Sequence, residues 1–185
     1  MNAPDPRDAL IEHLPAMRAF AISLTRDVAA ADDVVQDTLV KAWTNFERFE
    51  TGSNMRAWLF TILRNTFYSS RRKLRREVPD VDGVHRGALV EKPAHDGRLQ
   101  MTDFRTAFAK LTDEQREALL LVGASGFSYE EAAVMCRVPV GTIKSRIGRA
   151  RQRLTELLDL NDDDTLELTD DTTVSVLSAS RIASF

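Results

Sequence analysis

Between Gly141 and Arg153 stand Lys144, Arg146, Arg149, Arg151 and Arg153, with Thr142 and Ser145 among them and no acid. Guanidinium and ammonium groups neutralise phosphates, and Arg or Lys can bond guanine O6 and N7; Ser and Thr suit phosphates or bases. A second acid-free run, residues 64–76, carries Arg64, Arg71, Arg72, Lys73, Arg75 and Arg76. It differs in kind, because Phe20, Trp43, Phe46, Phe49, Trp58, Phe60, Phe67 and Tyr68 crowd residues 20–68. Rings beside cations suit unstacked single strands, whose bases stack while their phosphates meet Arg. Most of these rings, Trp43 and Phe46 above all, are expected in the interior. Covalent chemistry finds no comparable set. His13, His85 and His95 are scattered, Cys136 is the single cysteine and reads as a small core residue, and Asp32 and Asp33 read as surface charges. No metal-ligand spacing, Gly-rich phosphate loop or nucleophile elbow is visible. The expectation is therefore no enzyme, no catalytic residue, no cofactor, no metal and no small-molecule substrate.

The chain has 185 residues and a formal charge of -3. That excludes a uniformly basic nucleic-acid coater, and the sum hides a segregation. Residues 161–185 hold six acids and one base, leaving +2 on residues 1–160. Two cationic clusters on a near-neutral body are an electrostatic footprint for a polyanion. A single cysteine excludes an internal disulfide. The first residues lack the apolar core of a signal peptide, and no run reaches the length of a membrane span. A cytoplasmic protein without membrane attachment is expected.

Helical periodicity dominates the elements that must carry these side chains. Leu10, Leu14, Met17, Ala21 and Leu24 form one stripe, with Pro15 in a first turn or splitting the segment. Val35, Leu39, Ala42 and Phe46 continue it over about 31–45, where Asp37 and Lys41 have the spacing of an ion pair. The Thr51–Asn54 loop offers Ser53 or Asn54 as a cap for a helix over about 54–76, roughly 35 Å long. Residues 78–97, with Pro79 and Pro93, Gly83, Gly87 and Gly97, read as a flexible linker. Phe104, Phe108 and Leu111 begin a second helical block near Arg98. Thr112 to Gln115 is a capping box opening a helix that Gly123 should stop, and Ser128 to Glu131 is another. A turn at Arg137-Val138-Pro139 leads to a last helix over 140–158, with Ile143, Ile147, Ala150, Leu154 and Leu157 on one face. The predicted fold is all-α: two small helical domains, residues 8–77 and 98–160, with an acidic tail, 161–185, expected to be disordered.

A short capped helix, a three-residue turn and a longer amphipathic helix make a helix-turn-helix, whose second helix enters the DNA major groove. Its N-terminal residues, Thr142, Lys144, Ser145 and Arg146, then Arg149, would face base edges, with Arg153 further along the same cluster. Ser128 and Tyr129, at the N-terminus of the first helix, could hold a phosphate.

Three stretches resemble the extracytoplasmic-function (ECF) type of bacterial sigma factor, the small two-domain members of the sigma-70 family. Ala31-Asp32-Asp33-Val34-Val35-Gln36-Asp37-Thr38-Leu39-Val40-Lys41-Ala42-Trp43 is similar to the family's core-polymerase-binding helix. Asn54-Met55-Arg56-Ala57-Trp58-Leu59-Phe60-Thr61-Ile62-Leu63-Arg64-Asn65 resembles its minus-10 recognition and melting helix. Phe127 to Ala133, with Pro139 to Arg146, resembles its minus-35 reader. Within the family, Gly123 to Ala133 and Arg75-Arg76-Glu77-Val78 most resemble the alphaproteobacterial general-stress-response subgroup. One departure is Arg137, where the turn usually carries glycine.

The resemblance implies a sigma factor directing promoter-specific initiation. Asp33, Gln36 and Asp37 would bind core RNA polymerase. Ser53, Asn54, Arg56, Trp58, Arg64, Asn65, Tyr68, Arg71 and Arg72 would capture the melted minus-10 element. Ser128, Tyr129, Thr142, Lys144, Ser145, Arg146, Arg149 and Arg153 would read the duplex minus-35 element. The implied partners are core polymerase, promoter DNA and an anti-sigma factor. The alternatives are a helix-turn-helix regulator that acts without polymerase, and a sigma mimic that sequesters an anti-sigma factor. The first domain argues against the regulator; the absence of room for a receiver domain argues against the mimic.

Overall fold

The computed structural model describes residues 9–77 and 96–159. Every regular element among them is helical, and the chain divides into two compact units between Gly87 and Ala88. Most of the expected linker and the whole acidic tail lie outside the described residues. The linker's last two residues do not: Asp96 and Gly97 already belong to a helix.

The first unit begins with α1 (Ala9–Glu12) and α2 (Leu14–Thr25), and Pro15 sits in the first turn of α2, where its missing N–H is no loss. Arg26 takes a left-handed conformation (φ 60°) and turns the chain. Asp27 then caps α3 (Val28–Thr44), its carboxylate accepting from the Ala30 N–H at 2.7 Å. The helix thus starts three residues before the apolar stripe suggested. A single 3-10 turn, Phe46–Arg48, leads to the loop. Asn54 is the cap of α4 (Met55–Glu77), Oδ1 accepting from the Ala57 N–H at 3.1 Å. Met17, Phe20, Ala21 and Leu24 of α2 meet Ala31, Val34, Val35 and Ala42 of α3, and Leu59, Phe60, Leu63 and Phe67 of α4, all buried. Burying the Val, Leu, Phe and Met side chains among these stabilises by about 1.5–3 kcal/mol each relative to exposure.

Three expectations fail in this unit. Trp43 is not interior; it is 53% exposed. It follows the buried Ala42 in the chain, and one residue's rotation of about 100° carries it off the stripe. Phe46 lies beyond the end of α3 and is half-buried in a satellite cluster with Phe49 and Trp58. Nor does Lys41 pair with Asp37: its ammonium reaches across to Thr66 Oγ1 on α4, at 3.0 Å.

The second unit packs α5 (Asp96–Ala109), α6 (Asp113–Leu119), α7 (Tyr129–Cys136) and α8 (Val140–Leu158). Both capping boxes form. Thr112 Oγ1 accepts from the Gln115 N–H and Gln115 returns the bond, as do Ser128 and Glu131. Gly123 does not stop α6. The path widens into a π-helical turn, Leu120–Ala124, and reverses at Gly126 (φ 68°), a backbone state that glycine adopts without steric cost. Arg116, 2% exposed, locks the α5–α6 connection: its guanidinium donates to the carbonyls of Leu111 (2.8 Å) and Ala109 (3.1 Å) and to Asp113 (3.2 Å). Cys136 is buried as expected and its thiol lies 3.5 Å from the Glu117 carboxylate.

Candidate nucleic-acid interface

The second unit's interface starts from the turn. Arg137 adopts φ 56°, ψ 45°, and the Val138 N–H bonds back to the Ala133 carbonyl at 3.1 Å, closing α7. The left-handed state costs about 1–2 kcal/mol for a residue with a Cβ. Pro139 then starts α8. Ile143, Ile147, Ala150 and Leu154 are buried, which fixes the roll of the helix about its axis. Ser145, Arg149 and Gln152 therefore stand on the outward ridge, with Thr142 and Arg153 turned toward the Arg146 side. All are exposed except Thr142, which is half-buried.

Lys144 and Arg146 lie on opposite flanks of that ridge. Arg146 is half-buried, with Nη1 enclosed by protein. Lys144 is exposed and its ammonium lies 5.9 Å from the centre of the Tyr129 ring, across the turn on α7. Ser128 is exposed at the start of α7, where its N–H is taken by Glu131 (2.8 Å). The Tyr129 and Glu130 N–H groups, in the first turn, have no intrahelical acceptor. Gln152 is exposed on the same face of α8 as Arg149, and a lone amide on a basic helix carries no spacing signal in the sequence. It donates to Glu156 at 3.3 Å, and Arg153 to the same carboxylate at 3.0 Å.

In the first unit, α4 brings its cations and rings together by i,i+4 spacing. The Arg56 guanidinium lies over Phe60 (5.5 Å), Arg64 over Tyr68 (4.8 Å) and Arg71 over Phe67 (5.8 Å). Such pairs hold guanidinium planes against ring faces. Phe60 and Phe67 are buried, whereas Arg64, Asn65, Tyr68 and Arg71 are half-buried and Arg72 is exposed. Ser53 and Asn54 are exposed at the loop. Trp58 is half-buried, packed against Phe49 (5.3 Å) and edge-on to Phe46 (6.1 Å). It supports the loop's base. Ser69, Arg72, Lys73 and Arg76 share one cationic face of α4.

On α3, Asp33, Gln36 and Asp37 are all exposed on the outward face. Val40, 60% exposed, stands among them, and Trp43 lies two turns beyond Gln36 on the same side of the helix. Asp32 differs: Arg18 on α2 grips it through Nε (2.6 Å) and Nη2 (3.1 Å). Hydrogen bonding to Arg18, and secondarily its charge, hold the Asp32 carboxyl below the usual carboxylate range. Among the described residues no group of His, Cys, Asp or Glu could hold a metal ion. Among them, too, no helix is long and apolar enough to cross a membrane.

These two helical units, one with a ring-and-guanidinium helix and one with a helix-turn-helix, define a transcription-initiation class of protein. Residues 10–77 match the family model for sigma-70 region 2, and residues 101–154 that for sigma-70 region 4. The chain belongs to the sigma-70 family, in its ECF branch. It is 52% identical over 166 residues to the ECF RNA polymerase sigma factor EcfG of Rhodopseudomonas palustris, covering 86% of this chain and 92% of the relative. It is 38% identical over 144 residues to the probable sigma-C factor of Mycobacterium bovis, covering 77% of each. Among solved structures it is similar to the sigma factor RpoE of Bartonella quintana, crystallised with the anti-sigma factor NepR. That match has 54% identity and a TM-score of 0.74, covering 86% of this chain and 99% of the other.

Proposed function

We propose that this chain directs core RNA polymerase to stress-response promoters, with the labour divided between its units. The first, residues 8–77, docks on the core through Asp33, Gln36 and Asp37 on α3. It captures the melted minus-10 strand between the Ser53–Asn54 loop and α4, where Arg56, Arg64, Asn65, Tyr68, Arg71 and Arg72 present cations and a ring, and Trp58 props the loop. The second, residues 98–160, reads the minus-35 duplex with Thr142, Ser145, Arg149 and Arg153, and binds its phosphates with Lys144, Arg146 and the backbone at the N-terminus of α7, at Ser128 and Tyr129. Residues 78–97 join the units. The factor acts in the cytoplasm and catalyses no reaction itself; strand opening is held by trapping unstacked bases.

The observation that carries this is that one chain holds both a helix-turn-helix and a helix of interleaved guanidinium groups and rings. A regulator acting without polymerase needs the helix-turn-helix but has no use for α4's interleaved guanidinium groups and rings. The relative crystallised with an anti-sigma factor supports a further element: this chain is held inactive by such a protein until a signal releases it. Run-off transcription with purified core polymerase tests the proposal. Transcripts should depend on this chain. Binding to duplex promoter DNA with neither core association nor transcripts would establish the regulator instead.

A further inference from the structure

The geometry points to Tyr129 as a positioning residue that holds Lys144 against the DNA backbone, so that Lys144 contacts a phosphate and base reading is left to the ridge that carries Ser145 and Arg149. This rests on the second unit's proposed role and assigns work within it. Three observations converge. The buried stripe of Ile143, Ile147, Ala150 and Leu154 fixes the roll of α8, and at 3.6 residues per turn Lys144 then lies about 140° round the helix from Arg149. A side chain so placed cannot share the ridge's base edges; it points along the α7 side. There the Tyr129 ring faces its ammonium at 5.9 Å. Tyr129 is half-buried and anchored at the first residue of α7, behind a formed capping box, so the ring is the fixed partner and the exposed lysine the movable one.

An unrestrained lysine loses side-chain entropy on binding. A ring that already restricts it lowers that loss, and a cation–π contact at an exposed site is worth about 0.5–1 kcal/mol, or about a two- to fivefold effect on affinity. A lysine is also a point charge rather than a bidentate reader, which fits a phosphate better than a base.

The test measures binding of the full-length protein to two duplexes across a salt series. One has random sequence; the other is the sequence this protein enriches from a randomised pool. Lys144→Ala should weaken both duplexes equally and reduce the salt slope by about one unit. Tyr129→Leu should weaken both about two- to fivefold, and Tyr129→Phe, which keeps the ring, should stay within about twofold of the parent. In a Lys144→Ala background, Tyr129→Leu should add nothing. Equal costs of Tyr129→Leu in both backgrounds would overturn the inference, as would Tyr129→Phe costing as much as Tyr129→Leu. So would loss of discrimination between the duplexes by Lys144→Ala with no change in slope. Should Tyr129→Leu unfold by circular dichroism, Tyr129→Met fills the volume without a π face and carries the same cycle. Arg149→Ala separates the levels. If it spares discrimination, the ridge reading itself fails; if it abolishes discrimination while Tyr129 and Lys144 act independently, only the present inference fails.

Discussion

Lys41 on α3 donates from its ammonium to the Thr66 hydroxyl on α4 at 3.0 Å, with Thr66 buried and Lys41 otherwise exposed. The bond ties the helix assigned to polymerase docking to the helix assigned to the melted strand. The two surfaces keep a fixed relation within the first unit.

Thr66→Val removes the acceptor while leaving Lys41 free to reach solvent. The expected cost is about 0.5–1.5 kcal/mol. Both tryptophans, Trp43 and Trp58, lie in the first unit, so tryptophan fluorescence in a urea titration follows that unit alone. The midpoint should fall modestly. An unchanged or higher midpoint would show that the bond contributes nothing.

Arg137→Gly should stabilise the second unit. The left-handed backbone at φ 56° costs an arginine about 1–2 kcal/mol that glycine avoids. Part of the gain is offset by glycine's greater freedom in the unfolded chain. A thermal melt followed by helical circular dichroism should show a later second-unit transition, with tryptophan fluorescence unmoved. An earlier transition would mean that the arginine side chain makes a contact outweighing its backbone strain.

The Arg18–Asp32 pair sets a pH dependence. The Asp32 carboxyl titrates below its ordinary range in the folded chain. A depressed folded pKa stabilises above the unfolded value, and that contribution disappears as pH falls through the folded value. The parent should therefore exceed Asp32→Asn in first-unit stability at neutral pH. The two should converge as the solution is acidified below the carboxylate range. A difference that stays constant with pH would assign the effect to packing instead. Both side chains are about half exposed, so added salt should shrink the gap.

Much of this was legible from residues because it is locally encoded. Capping boxes at Thr112 and Ser128 depend on side chains three residues apart, and α8 begins after Pro139 and runs to Leu158, the bounds expected from its stripe. The failures lie where partners are distant in sequence. Trp43 reads as core by its type, yet the one-residue step from Ala42 turns it off the buried stripe. Lys41 had a plausible local partner in Asp37 and took a remote one in Thr66. The π-helical turn after Leu119 is closed by the Ser125 N–H on Leu120 O at 2.8 Å and the Phe127 N–H on Leu121 O at 3.0 Å, and no pattern in residues 120–124 announces it. In the candidate site, the basic clusters were visible but their division was not. Arg149 and Lys144 are close in sequence and diverge on the helix.

Asp33→Arg reverses a charge on α3's outward face without touching the core. It should abolish or strongly weaken association with core polymerase, read by co-elution on size exclusion, while leaving the full chain's affinity for duplex DNA unchanged. Normal co-elution would remove Asp33 from the docking surface.

The most direct test is permanganate reactivity of thymines in a minus-10 element, because it detects unpaired bases rather than binding. Core polymerase with this chain should make those thymines reactive, and core alone or the chain alone should not. Arg64→Ala together with Tyr68→Ala should suppress reactivity while duplex binding through α8 persists. Stable binding of core and chain at the promoter with no reactive thymine would contradict a role in opening DNA.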